Sequence, residues 1–113
     1  MGIERRLHPR ILVKWRAVVE TAQGSVEGET KDISVDGVFI FCPMEPEIGE
    51  QFPILLEPSE QQTISVIGEK IWSGTFTIDN KTVFGMGVQF IHISPEDRKF
   101  ISTLVEKDSR DAP

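Results

Sequence analysis

The sequence has 113 residues and a mass of 12.7 kDa, enough for one compact domain and too few for two comfortable ones. It is 39% hydrophobic and 27% charged, which excludes a wholly disordered chain; no apolar run reaches membrane-span length, and the N-terminus lacks the apolar core of a signal peptide. The net charge of −6 argues against a polyanion-binding protein, but residues 1–16 hold Arg5, Arg6, Arg10, Lys14 and Arg16 against Glu4, a net +4, while the other 97 residues hold seven bases and 17 acids, a net −10.

A period of two dominates residues 11–107, with no composition shift to mark a linker and no internal repeat. In 12–20, Val13, Trp15, Ala17 and Val19 fall on one face and Lys14, Arg16 and Glu20 on the other, the pattern of a half-buried strand. Ala22-Gln23-Gly24-Ser25 is a turn signal, and a weaker strand covers about 26–33. Asp36-Gly37 precedes the apolar run Val38-Phe39-Ile40-Phe41-Cys42; Asp-Gly between strand candidates predicts a hairpin, because both residues tolerate positive φ. Pro43, Pro46 and Gly49 break regularity, after which Phe52, Ile54 and Leu56 alternate in a strand where Pro53 indicates an edge or bulge. Pro58-Ser59-Glu60 turns the chain, and Ile64, Val66, Gly68 and Trp72 share one parity in the next strand. Residues 73–81 are polar and contain Gly74 and Asp79-Asn80, so they read as a loop. Phe84, Met86, Val88 and Phe90 alternate in the last strand, with Gly85 and Gly87 on the opposite face, where they leave room for a close neighbour, a strand or a ligand.

The period then changes. Ser94-Pro95-Glu96-Asp97 reads as a helix start, with Ser94 as N-cap, Pro95 in the first turn and acids beside the helix dipole. Phe100, Ile101, Leu104 and Val105 form one apolar helical face. The expected fold is mainly all-β: a six-stranded antiparallel β-barrel, which leaves no exposed sheet edge, with a C-terminal α-helix. The expected organisation is a flexible basic segment over 1–10, the barrel and helix over 11–107, and a disordered tail over 108–113.

Catalytic chemistry is poorly represented. His8 and His92 are the only histidines and are not spaced as metal ligands; there is no nucleophile-elbow serine and no glycine-rich phosphate loop with its lysine. Cys42 is the single cysteine, so no internal disulfide can form, and a reducing cytoplasmic home is the simplest reading. Following an apolar strand, it reads as a small buried hydrophobe rather than a nucleophile.

Two polar segments stand out. In Arg5-Arg6-Leu7-His8-Pro9-Arg10, Pro9 pushes His8 toward an extended conformation. Four extended residues reach roughly 13–14 Å, so Arg6 and Arg10 can grip two sides of one small ligand. The guanidinium fork pairs with phosphate or with the O6/N7 edge of guanine and stacks on bases. By themselves three arginines read as a solvated basic tail before they read as a site. In Asp32-Ile33-Ser34-Val35-Asp36-Gly37, Asp32 and Ser34 share one face of extended chain. That pair can accept from a guanine N1–H/N2–H edge, orient an arginine or donate to phosphate; equally, Ser34, Asp36 and Gly37 can simply build a turn.

Taken together the segments are more specific. R-x-x-x-R (Arg6 to Arg10), then D-x-S-x-x-G (Asp32, Ser34, Gly37), then Gly-Met-Gly-Val-Gln-Phe at 85–90 before a terminal helix resembles the PilZ domain over roughly residues 4–107. The resemblance implies a six-stranded barrel with a C-terminal helix, in agreement with the independent strand reading, and a bacterial receptor for the second messenger cyclic di-GMP. It implies that Arg6 and Arg10 grip guanine Hoogsteen edges and phosphates, and that Asp32 and Ser34 contact guanine and fix the arginines. Gly37 would let the backbone turn, and a side chain there would intrude on the ligand. Arg5 occupies the position that influences ligand stoichiometry, which points toward an intercalated dimer of cyclic di-GMP.

The expected function is therefore a single-domain cyclic di-GMP receptor, not an enzyme, with cyclic di-GMP as ligand and no cofactor or metal. With no appended output domain it would act in trans on an unidentified downstream protein, with no membrane insertion. The −10 body disfavours a long nucleic acid, since a small barrel that tracks single strands combines a basic groove with exposed aromatics. The alternative is a nucleotide-independent PilZ-like adaptor of pilus or motility machinery.

Overall fold

Alternating apolar residues become the inside of a closed barrel in the computed structural model, which describes residues 9–111. The elements are β1 (Ile11–Leu12), β2 (Arg16–Thr21), β3 (Gly24–Ile33), β4 (Gly37–Cys42), β5 (Phe52–Ser59), β6 (Gln62–Ile78), β7 (Lys81–Ile93) and α1 (Pro95–Asp111). Every pairing is antiparallel, and the ring runs β3–β2–β5–β6–β7–β4 and closes through β4–β3. β1 and β2 both pair with β3 and act as one interrupted stave, so the barrel is six-stranded. Val19, Val38, Ile40, Ile54, Leu56, Ile64 and Met86 are fully buried inside it. Closure pairs each stave on both sides within the barrel, while β6 beyond Gly68 continues as an arm paired with β7.

The break in the first predicted strand has a local cause. Thr30, 3% exposed, inserts its hydroxyl between the two halves: Oγ1 accepts from Trp15 N at 2.8 Å and donates to Val13 O at 2.6 Å. β3 carries a bulge between Thr30 and Asp32 at the same place. Thus residues 13–15 leave the ladder without leaving its hydrogen bonds unsatisfied.

Residues 73–81 are not a loop. β6 continues to Ile78 and β7 starts at Lys81, joined by Asp79 and Asn80 at φ 53° and 65°, the left-handed pair of a two-residue hairpin turn. The misreading has a physical reason. Gly74, the Ser and Thr residues and Asp79-Asn80 give the segment a polar, turn-like composition, yet Trp72, Phe76 and Ile78 alternate with Ser73, Thr75 and Thr77 and pair in register with β7, outside the barrel interior. Trp72 also departs from expectation. A register shift between Lys70 and Trp72 resets the parity of β6, so Ile64 and Val66 point inward while Trp72 is 49% exposed on the outer face. Pro53 lies one residue beyond the β2–β5 register, which ends at Val19↔Ile54, so β6 is its strand neighbour, through Ile67.

The helix begins as expected: Ser94 Oγ accepts from Asp97 N at 3.1 Å, with Glu96 and Asp97 in the first turn. It packs Ile101, Val105 and Phe100 on the core, with the Phe100 ring 6.4 Å from that of Trp15. It continues to Asp111 rather than ending near 107; its final polar turn carries no apolar signal to mark it in the sequence. Among the described residues no helix is long and apolar enough to cross a membrane.

Cys42 is 1% exposed, and burial pushes its thiol up to about 11. Native protein near pH 8 is expected to alkylate with iodoacetamide at least about 100-fold more slowly than urea-denatured protein, because the thiolate is both rare and shielded. Equal rates would show that Cys42 is accessible.

Candidate functional site

Strand pairing explains why a residue near the N-terminus meets the D-x-S segment. Ile11 and Leu12 pair with Ile33 and Asp32, which sets Arg10 beside the end of β3. There Arg10 Nη2 and Nε lie 2.8 and 2.9 Å from Asp32 Oδ1, and Nη1 donates to Ser34 Oγ at 3.4 Å. The Arg10 and Asp32 side chains are 25% and 17% exposed, so the pair is screened less than a surface ion pair yet remains open on one side.

Ser34 is 2% exposed and works inward. Its Oγ also accepts from Asp36 N at 3.1 Å, while Ser34 N donates to Gly37 O at 2.9 Å. The serine thus builds the turn and steadies the arginine, two roles the sequence left as alternatives. Asp36 carries the outer end of the turn: its carbonyl accepts from Phe90 N at 2.8 Å, and its carboxylate lies 3.4 Å from Arg98 Nη2 on α1.

Gly37 is needed for a different reason from the one expected. It does not adopt positive φ, a conformation that among the described glycines belongs to Gly24. It pairs with Gln89, and a Cβ on it would lie 2.3 Å from the backbone carbonyl oxygen of Val88. The constraint is close approach of β4 to β7, so a side chain here would meet the barrel's own backbone.

Beyond the turn lies a wall of aromatics that sequence reasoning missed. β4 buries Val38, Ile40 and Cys42 inward and turns Phe39 and Phe41 outward. The β6 arm folds Trp72 and Phe76 onto them, with ring centroids 5.0 Å apart for Phe39–Trp72 and 5.6 Å for Phe41–Phe76. Gly85 and Gly87 floor this cluster. A Cβ on Gly87 would lie 2.5 Å from Trp72 Nε1, and one on Gly85 would lie 2.8 Å from Phe76 Cε1. The close neighbour predicted for these glycines is therefore a set of aromatic rings. The signal was present in the unbroken apolar run 38–42, which marks a strand covered on both faces.

Arg10, Lys31, Asp32, Asp36 and Gly37 line one side of an open concavity of about 1120 Å³, and Phe39, Phe41, Trp72 and Phe76 line another. A carboxylate, a guanidinium, an ammonium and flat apolar faces together suit a ligand that is both aromatic and anionic. Arg16 is not part of this site: it bridges Glu27 and Glu57 across three strands, the latter at 2.6 Å. Arg5 and Arg6 lie outside the described residues. Among the described residues no group of His, Cys, Asp and Glu could hold a metal ion.

Comparison with known proteins agrees with this fold. The family model described as PilZ domain matches residues 4–107. The structure is similar to the PilZ domain with c-di-GMP of YcgR from Escherichia coli, with a TM-score of 0.76 at 17% identity, covering 96% of each chain. It is also similar to the K. pneumonia MrkH–c-di-GMP complex, TM-score 0.77 at 18% identity over 97% of this chain and 57% of that one. The Bacillus subtilis inhibitor of motility MotI/DgrA gives a TM-score of 0.75 at 14% identity over 98% and 55%. The chain thus spans little more than half the length of MrkH and of MotI/DgrA. Its sequence has no significant match among curated proteins.

Proposed function

The chain belongs to the PilZ domain family, a family of receptors rather than enzymes, and on that footing we propose that it is a cyclic di-GMP receptor acting in the bacterial cytoplasm. The observation that carries the reading is Arg10, held by Asp32 and Ser34 at the rim of an aromatic-walled concavity. Arg10, Asp32, Ser34 and Gly37 form or support one side of the site, and Arg5 and Arg6 supply the other from the preceding segment. The arginines take guanine edges and phosphates. Asp32, whose Oδ1 orients Arg10, offers carboxylate lone pairs to a guanine N1–H/N2–H edge.

Signalling follows from the same arrangement. The ligand bridges the segment carrying Arg5 and Arg6 to the Asp32–Gly37 surface, which changes the shape and charge offered to a downstream protein. Asp36 lines the ligand concavity and also pairs with Arg98, so the helix shares a contact with the site. Net charge does not oppose this, because at physiological ionic strength the Debye length is about 8 Å and distant acids are screened.

Isothermal titration calorimetry tests the reading. Cyclic di-GMP is expected to bind saturably with two molecules per chain, as a stacked pair with Arg5 on the outer base, and cyclic di-AMP is expected not to bind. One molecule per chain would remove the stacked pair and leave the receptor. Absence of both heat and protein NMR shifts with excess ligand would overturn the receptor and favour a nucleotide-independent adaptor.

A further inference from the structure

The bulge in β3 aims a residue that strand alternation would not. The β3–β4 register runs Glu29↔Phe41 and Thr30↔Ile40, then Asp32↔Phe39, so Lys31 is the extra residue with no partner on β4. In a regular strand Lys31 and Asp32 would leave on opposite faces. The inserted residue resets the alternation. Thr30 and Ile33 are buried, while Lys31 and Asp32 both line the outer concavity.

The charges on this wall are not equally committed. The guanidinium of Arg10 sits 2.8 Å from Asp32 Oδ1, and the carboxylate of Asp36 faces Arg98 at 3.4 Å. The ammonium of Lys31 is held more loosely, 3.9 Å from Asp32 Oδ2 and 5.8 Å from the centroid of the Phe39 ring, with its side chain 55% exposed. Arg10 and Asp32 largely cancel, so Lys31 leaves this side of the concavity positive toward an incoming anion. Its position over the aromatic wall places the charge beside the surface on which a base would lie.

We propose that Lys31 is a phosphate-binding residue of this site, pairing with a phosphodiester of the bound cyclic dinucleotide beside Arg10. A compact ammonium with three donors on a flexible stem suits a phosphate oxygen better than a planar base edge. The inference rests on the receptor reading above and extends it to a residue outside both motifs.

Calorimetric titration of Lys31→Gln, Lys31→Arg and Lys107→Gln with cyclic di-GMP at several salt concentrations tests it. Lys107, exposed on α1 away from the concavity, controls for net charge alone. Lys31→Gln is expected to bind about five- to tenfold more weakly, with a shallower salt dependence. Lys31→Arg, which keeps the charge, should stay within about twofold of wild type, and Lys107→Gln should match wild type. Wild-type affinity and salt slope in Lys31→Gln, or an equal loss in Lys107→Gln, would overturn the inference while leaving the receptor intact. Absence of binding by the wild-type chain would instead overturn the receptor reading and this inference with it.

Discussion

Arg10→Ala is expected to abolish measurable cyclic di-GMP binding while the barrel stays folded. The substitution removes a forked donor from the rim of the site and, among the described residues, leaves Asp32 with only Lys31 at 3.9 Å. The dianion proposed as ligand then meets a carboxylate with little compensation, so the two effects add in the same direction. Truncating one partner of a desolvated charge pair in an interface costs about 2–5 kcal/mol, a loss of at least about thirtyfold in affinity. Fold stability should fall much less, by about 1 kcal/mol, because the Arg10–Asp32 pair is partly exposed and Arg10 precedes the barrel's main staves. Arg10→Lys should be intermediate, since it restores charge without the fork that reaches Asp32 and Ser34 together. Calorimetry with circular dichroism on the same samples checks this. Wild-type affinity in a folded Arg10→Ala protein would remove Arg10 from the site.

Gly37→Ala is expected to lower stability in the absence of any ligand. The new Cβ would lie 2.3 Å from the Val88 carbonyl oxygen and 3.3 Å from Gln89 Cα, and both are backbone atoms of a paired strand that cannot turn aside as a side chain would. Relief requires prising β4 from β7 where Phe90 N also binds Asp36 O. Overpacking of this kind costs about 1–3 kcal/mol, which lowers the melting temperature of a domain this size by several degrees. Gly49→Ala is the matched control: its Cβ would meet nothing nearer than Gln51 O at 3.9 Å. Thermal unfolding of the two variants decides the matter. Wild-type stability in Gly37→Ala together with lost binding would instead mean that the side chain obstructs the ligand.

Much of the site was legible in the sequence because it is encoded in short spacings. R-x-x-x-R and D-x-S-x-x-G name Arg10, Asp32, Ser34 and Gly37 without knowledge of the fold, and the structure brings these four to one end of β3 and β4. The strand parity that placed Ala17, Val19, Ile64 and Val66 in the core needed only local alternation. The cap at Ser94 and the apolar face ending at Val105 were equally local.

The aromatic wall was not legible, although each of its residues was in view. Phe39 and Phe41 alternate with Val38 and Ile40 in a single apolar run, and nothing within the run says which set faces inward. The parity of Trp72 matches that of Val66 and leaves both the core and an exposed place at the barrel mouth open; a bulge that exists only in the pairing with β7 puts it outside. The β6–β7 arm reads as a loop because Gly74 and Asp79-Asn80 carry turn chemistry; the alternation of Trp72, Phe76 and Ile78 with Ser73, Thr75 and Thr77 is too short and glycine-broken to stand out, and its apolar face covers Phe39 and Phe41 rather than the core.

The sequence by itself determined the core-facing strands and the start of the helix, the separation of charge into +4 over 1–16 and −10 elsewhere, and the identity of the motif residues. These rest on neighbours within a few positions along the chain. Tertiary structure alone decided that Lys31 and Asp32 share a face, that Trp72 covers Gly87 and that Gly37 is bounded by Val88. Each of those outcomes is set by the partner strand. A bulge is a mismatch in residue count between two strands, and a close approach is a distance between two backbones, so neither leaves a mark in the spacing of one strand alone.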